Sequence, residues 1–144
     1  MSRRPESESG ETLLELLIAL VIMSIAVVAI VGALAASIKV SDVHRKQTTA
    51  GTAARSYAEV VKNNAVSGYV ACASASAYTT GFPAAPTGFS TPVAQIKYWT
   101  GTTWSGTCTT DSGLQQVTLT VASNDGRATE RVVLVIRKPC ASGC

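Results

Sequence analysis

The 23 residues from Leu16 to Ile38 carry no charge. No other feature narrows the fold as much. As an α-helix at ~1.5 Å per residue, the run extends about 35 Å. That is enough to cross the ~30 Å hydrocarbon core of a bilayer. The run is apolar on every face, as a helix surrounded by lipid has to be. It is longer than the ~7–15-residue apolar region of a secretory signal. A small-residue cleavage site can still be read at Ala33-Leu34-Ala35, which makes a cleaved signal the rival reading. Arg3 and Arg4 precede the run while Lys39, Arg45 and Lys46 follow it, so flanking charge does not orient it.

The cysteines orient it instead. Cys72, Cys108, Cys140 and Cys144 all follow the run, with no C-x-x-C and the lone His44 far away in sequence. That pattern argues against a zinc site or a thioredoxin-like motif. An even count after a membrane anchor implies two disulfides in an oxidising compartment, with the C-terminal side outside the cell. A segment of about 80 residues has a thin core and gains from such staples. The net charge of +3 has no basic block behind it, so nothing electrostatic demands nucleic acid.

Gly10-Glu11-Thr12-Leu13-Leu14-Glu15, directly before the apolar helix, resembles the signal of type IV prepilins and type II secretion pseudopilins. In that family a short polar leader ends in glycine, and a membrane peptidase cuts after it and methylates the new N-terminus. A glutamate five residues into the mature chain is the family's hallmark. The resemblance implies a leader at 1–10, cleavage between Gly10 and Glu11, N-methylation of Glu11, and an assembly and register role for Glu15. The first mature residue is usually apolar, often Phe, and here it is Glu11. The match is detailed over about 30 residues and architectural beyond them. It implies an α+β, pilin-like fold: a long N-terminal helix packed on a small antiparallel sheet. The implied partners are prepilin peptidase, other pilin subunits, a membrane platform protein, an assembly ATPase and membrane lipid.

The spacing of Val40, Val43, Gln47, Ala50, Ala54, Tyr57 and Val61 predicts that the helix continues beyond the membrane. Asn63-Asn64 and Gly68 mark its end. The expected organisation is therefore a helix over 11–64, spanning the membrane at about 13–38, and a disulfide-stapled head over 65–144. Gly32 lies within the run, where it either loosens the helix or allows close helix packing. Residues 68–93 read as a long loop punctuated by Gly81, Pro83, Pro86 and Gly88.

Three strands are readable. Val93–Thr100 alternates loosely. Gln116–Ala122 alternates well, with Val117, Leu119 and Val121 on one face. Arg127–Arg137 is apolar on both faces from Val132 to Ile136, which predicts a covered strand. Asn124-Asp125-Gly126 is a hairpin signal, and Thr100–Thr103 reads as a turn between Trp99 and Trp104, two residues expected to pack over the sheet. Extending the hairpin register puts Cys108 near the C-terminal end. Cys108 then pairs with Cys140 or Cys144, and Cys72 with the other. The alternative pairs Cys72 with Cys108 and Cys140 with Cys144. A bridge near the C-terminus is similar to the pilin C-terminal disulfide region.

The sequence offers no phosphate-cradling glycine loop, no nucleophile–base spacing and no metal cluster, so neither an enzyme nor a cofactor is expected. Asp111 and Asp125 fall in turns, where local backbone bonding explains them. The expectation is a minor pilin or pseudopilin in a type IV pilus or type II secretion-like filament. It would sit in the cytoplasmic membrane with its head outside. The alternative is a single-pass anchored surface protein, for adhesion or DNA capture. Nucleic acid as partner rests on Arg127, Arg131 and Arg137 sharing one strand face.

Overall fold

A computed structural model of the chain describes residues 11–140. One helix, α1 (Glu11–Ser67), precedes four strands: β1 (Val93–Trp99), β2 (Trp104–Ser105), β3 (Leu114–Ala122) and β4 (Thr129–Arg137). The sheet is antiparallel with order β2-β1-β3-β4, giving an α+β arrangement. The chain divides into two compact units, Met1–Asp42 and Val43–Cys144, with the boundary inside α1.

The first unit, over its described residues, is the apolar part of α1. Its large side chains are all exposed, among them Met23 at 67% and Val28 at 72%. By length and composition this helix is able to cross a membrane. The helix runs unbroken through Gly32, and a Cβ added there would meet nothing within 4 Å.

The second unit is built on a change of composition within α1. From Ala50 onward the apolar positions become small. Ala50, Ala54, Tyr57, Val61 and Ala65 recur at helical spacing and are buried, with Ala53 and Ala58 beside them. This stripe meets Val117, Leu119, Val121 and Ile136 of the sheet in one core. Alanines let a helix lie close to a sheet, so Tyr57, Val61 and Leu119 supply the bulk. Burying each such large side chain contributes roughly 1.5–3 kcal/mol. The expected stripe was longer: Val40 and Gln47 are exposed, and burial begins at Ala50.

The helix ends close to its expected stop. Gly68 N–H still donates to Asn64 O at 2.9 Å, while Asn64 Nδ2 reaches over to Tyr78 O and Thr80 O at 3.0 and 2.8 Å. The segment after it is loop, as expected, apart from a short 3-10 turn at Ala75–Tyr78.

The β3–β4 hairpin also follows the sequence. Gly126 takes φ +70°, a conformation glycine adopts without a Cβ penalty. The register that follows puts Leu114 opposite Arg137. Trp99 and Trp104 face each other across the β1–β2 turn with ring centroids 5.3 Å apart, adding a strand pair the sequence did not reveal. One expectation fails. β4 is not covered on both faces, because Val133 and Val135 are 49% and 59% exposed. Only one face of the sheet meets α1, and β4 is the outermost strand.

Candidate functional site

Gly10, at the expected cleavage point, lies outside the described residues. Glu11 is the first residue of α1. Glu15 stands one turn further in and is exposed. It is the only charged residue from Thr12 to Ile38. A carboxylate near a helix N-terminus is favoured by the helix dipole and the unsatisfied N–H groups there. Around it, Leu13, Leu14, Leu16, Leu17 and Ile18 are all more than half exposed. The site is thus one acidic group in an apolar surface, and no described residue bonds it.

In the head, the disulfide joins Cys72 to Cys108. This is the Cys72–Cys108 bridge of the second pairing open to the sequence, and it corrects the first. The hairpin register does hold along β3, but β3 begins only at Leu114. Gly113 takes φ +83° there and ends the extension that would have carried Cys108 toward the C-terminus. Cys140 is also disulfide-bonded; Cys144 lies outside the described residues.

Beside the bridge, Asp111 collects four donors. Its Oδ1 accepts from Tyr69 OH at 2.7 Å and Gly113 N–H at 2.6 Å. Its Oδ2 accepts from Cys72 N–H at 2.7 Å and Gln115 Nε2 at 2.8 Å. Gln115, fully buried, also donates to Val70 O at 2.8 Å and accepts from Tyr78 OH at 3.1 Å. Burial pushes the Asp111 carboxyl up, but the hydrogen bonds from Cys72, Tyr69, Gln115 and Gly113 outweigh it and hold it at about 2. Burial, then the hydrogen bond to Asp111 and its charge, push the Tyr69 phenol well above its ordinary value. Tyr69 therefore stays a donor across the physiological range. The network ties the loop after α1, the 3-10 turn and the start of β3 into one piece. Sequence reasoning gave Asp111 only a local turn role, and that bond exists, to Gly113. Its other donors come from up to 42 residues away, which no local pattern reveals.

Cys72, Cys108 and Asp111 place two sulfurs and a carboxylate within 4.8 Å of one another. The sulfurs are bonded to each other and offer no thiolate for a metal.

The three arginines expected on one strand face separate. Arg127 lies in the turn before β4, where Asp125 accepts from its N–H at 3.2 Å. Asp125 is also held by Lys46 and by Ser123 Oγ, and these bonds keep its carboxyl below the usual range. Arg131 and Arg137 remain exposed on β4. The reason is turn geometry: the strand starts at Thr129, two residues later than the sequence pattern implied. His44 is exposed on α1, as expected.

No protein-family model matches the chain, and comparison with curated proteins and with solved structures likewise gives no match.

Proposed function

We propose that this chain is a filament subunit of the type IV pilin or type II secretion pseudopilin kind, a minor pilin or pseudopilin with no catalytic activity of its own. The observation that carries the reading is Glu15, the single charge between Thr12 and Ile38 in an exposed apolar stretch, five residues after Gly10. Cleavage after Gly10 creates an α-amino group on Glu11, with an ordinary pKa near ~8 and mostly protonated at neutral pH. In hydrocarbon a lone carboxylate is costly. The amine of a neighbouring subunit neutralises Glu15 and leaves the surrounding apolar surface to helix packing. Such a buried pair adds little net stability but penalises every register that leaves it unmade. Prepilin peptidase, a platform protein and an assembly ATPase are the partners this requires. Membrane lipid covers the helix before assembly, and the disulfide-stapled head lies outside the cell.

The test is incorporation of Glu15→Ala and Glu15→Gln variants into filaments in cells that carry the assembly machinery. Both are expected to be cleaved, to stay in the membrane and to be lost from sheared filaments. Incorporation of either at the wild-type level would remove the role given to Glu15.

A further inference from the structure

β4 has β3 on one side and no described strand on the other. Two bonds fix the phase of its ladder. Lys138 N–H donates to Gly113 O, and Ser123 N–H donates to Ala128 O, both at 2.8 Å. These pairs flank one unbroken register, from Leu114 opposite Arg137 to Ala122 opposite Thr129. Bonded and non-bonded pairs alternate along an antiparallel ladder. The even-numbered residues of β4 therefore turn their backbone groups toward β3. Thr129, Arg131, Val133, Val135 and Arg137 turn theirs outward, and among the described residues nothing receives them. The same five side chains are the exposed ones.

Natural sheets guard a free edge with short strands, proline, bulges, inward charges or charged side chains along the edge, and of these β4 has only charges, Arg131 and Arg137 being exposed on it. β4 is nine residues long, has no proline and has no break in its register. Glu130 is the one charge on its inward side. Beneath the edge lies a groove of ≈ 420 Å³ between Thr48, Gly51, Thr52 and Arg55 of α1 and Glu130 and Val132 of β4. A Cβ added at Gly51 would meet nothing within 4 Å. This is the space that the inward side chains of a fifth strand would fill.

We propose that the outer edge of β4 is a strand-addition site for an extended, acidic-apolar segment of another polypeptide. Main-chain bonds to the five outward residues supply the affinity, as in other β-augmentation. Charge selects the occupant. Arg131 and Arg137 flank Val133 and Val135 on the exposed side, so the fitting strand carries two alternate apolar residues between carboxylates six positions apart. A second copy of β4 does not fit. Antiparallel self-pairing with Val133 opposite Val135 sets Arg131 directly opposite Arg137, which is destabilising, and the registers that pair a valine with itself bring the two arginines together diagonally with no carboxylate between them. The site lies within the second unit and does not depend on assembly through the membrane-spanning part of α1.

The test uses the full chain in detergent micelles and a fluorescent peptide, Ser-Glu-Thr-Val-Thr-Val-Thr-Glu-Ser, followed by anisotropy. Saturable binding is expected. It should weaken at least about tenfold when the backbone nitrogens facing β4 are N-methylated, since each methyl removes one main-chain bond to the edge. It should also weaken in Val133→Pro, which removes an outward N–H and leaves the β3 ladder intact, with circular dichroism confirming the fold. No binding, or equal binding of the methylated peptide, overturns the proposal. Self-association that Val133→Pro abolishes, without peptide binding, would make a second copy the occupant and overturn it. So would single-stranded oligothymidylate binding that needs Arg131 and Arg137 but survives Val133→Pro.

Discussion

Replacing Asp111 by Asn removes one charge and turns one of two acceptor oxygens into a donor. Each oxygen accepts two bonds at 2.6–2.8 Å: Tyr69 and Gly113 on one, Cys72 and Gln115 on the other. In either amide orientation, two donors are left facing an N–H. Bonds to a charged acceptor contribute roughly 1.5–3 kcal/mol each. With two lost, and with relief of the carboxylate's own desolvation set against them, we expect a loss of about 2–4 kcal/mol at pH 7. For a unit of about 100 residues this lowers Tm by roughly 10–25 °C. The pH dependence follows from the carboxyl's position at about 2, below its ordinary 3.8. The unfolded chain takes up this proton first as pH falls. The stabilisation is therefore fully present above pH ~4, declines as pH falls toward 2 and is gone below it. The linkage is worth at most ~2.5 kcal/mol, less the solvent screening of a partly exposed group. Asp125 adds a slope of the same sign in both proteins, so the difference between wild type and variant isolates Asp111. Near-UV circular dichroism melts of the full chain in micelles, from pH 7 to pH 2, measure it. The wild-type advantage should shrink between pH 4 and pH 2. A loss under ~1 kcal/mol at pH 7, or parallel pH curves, would refute the role given to this network.

Other perturbations read other parts of the fold. Cys72→Ser with Cys108→Ser opens a bridge across a sequence separation of 36 and should cost about 3–4 kcal/mol by chain entropy, measured by urea unfolding. Tyr57 buries a hydroxyl that has no hydrogen-bond partner among the described residues, so Tyr57→Phe should leave stability unchanged or raise it; a loss above ~1 kcal/mol in the same assay would contradict this. Gly126→Ala places a side chain at φ +70° with no neighbour within 4 Å, so strain alone should cost about 1 kcal/mol, read as a lower Tm.

The parts of this chain visible in its sequence are those with local causes. The apolar run, the alternation of Val117, Leu119 and Val121, and the Asp125-Gly126 turn each act within a few residues, and the structure has the helix, strand and turn they imply. The register of β3 against β4 then follows from the turn. What stayed hidden depends on where elements end up. Val133 and Val135 look like core residues, because a continuous apolar run such as Val132–Ile136 does not distinguish a covered strand from an edge strand. The Cys72–Cys108 pairing goes with a bend at Gly113, where φ is +83° and the extended strand has not yet begun. Asp111 looks like an ordinary turn residue until Tyr69 and Cys72 are brought to it from 42 and 39 residues away. The candidate assembly site is the reverse case. Glu15 is conspicuous in the sequence, while the folded chain alone gives it no partner among the described residues.

The intact mass and N-terminal sequence of the mature protein, purified from cells carrying a prepilin peptidase, test filament processing most directly. A chain beginning at Glu11 is the predicted result. A chain still beginning at Met1 would mean a plain signal anchor, and one beginning near Ala36 a secreted head; either would contradict the filament-subunit reading.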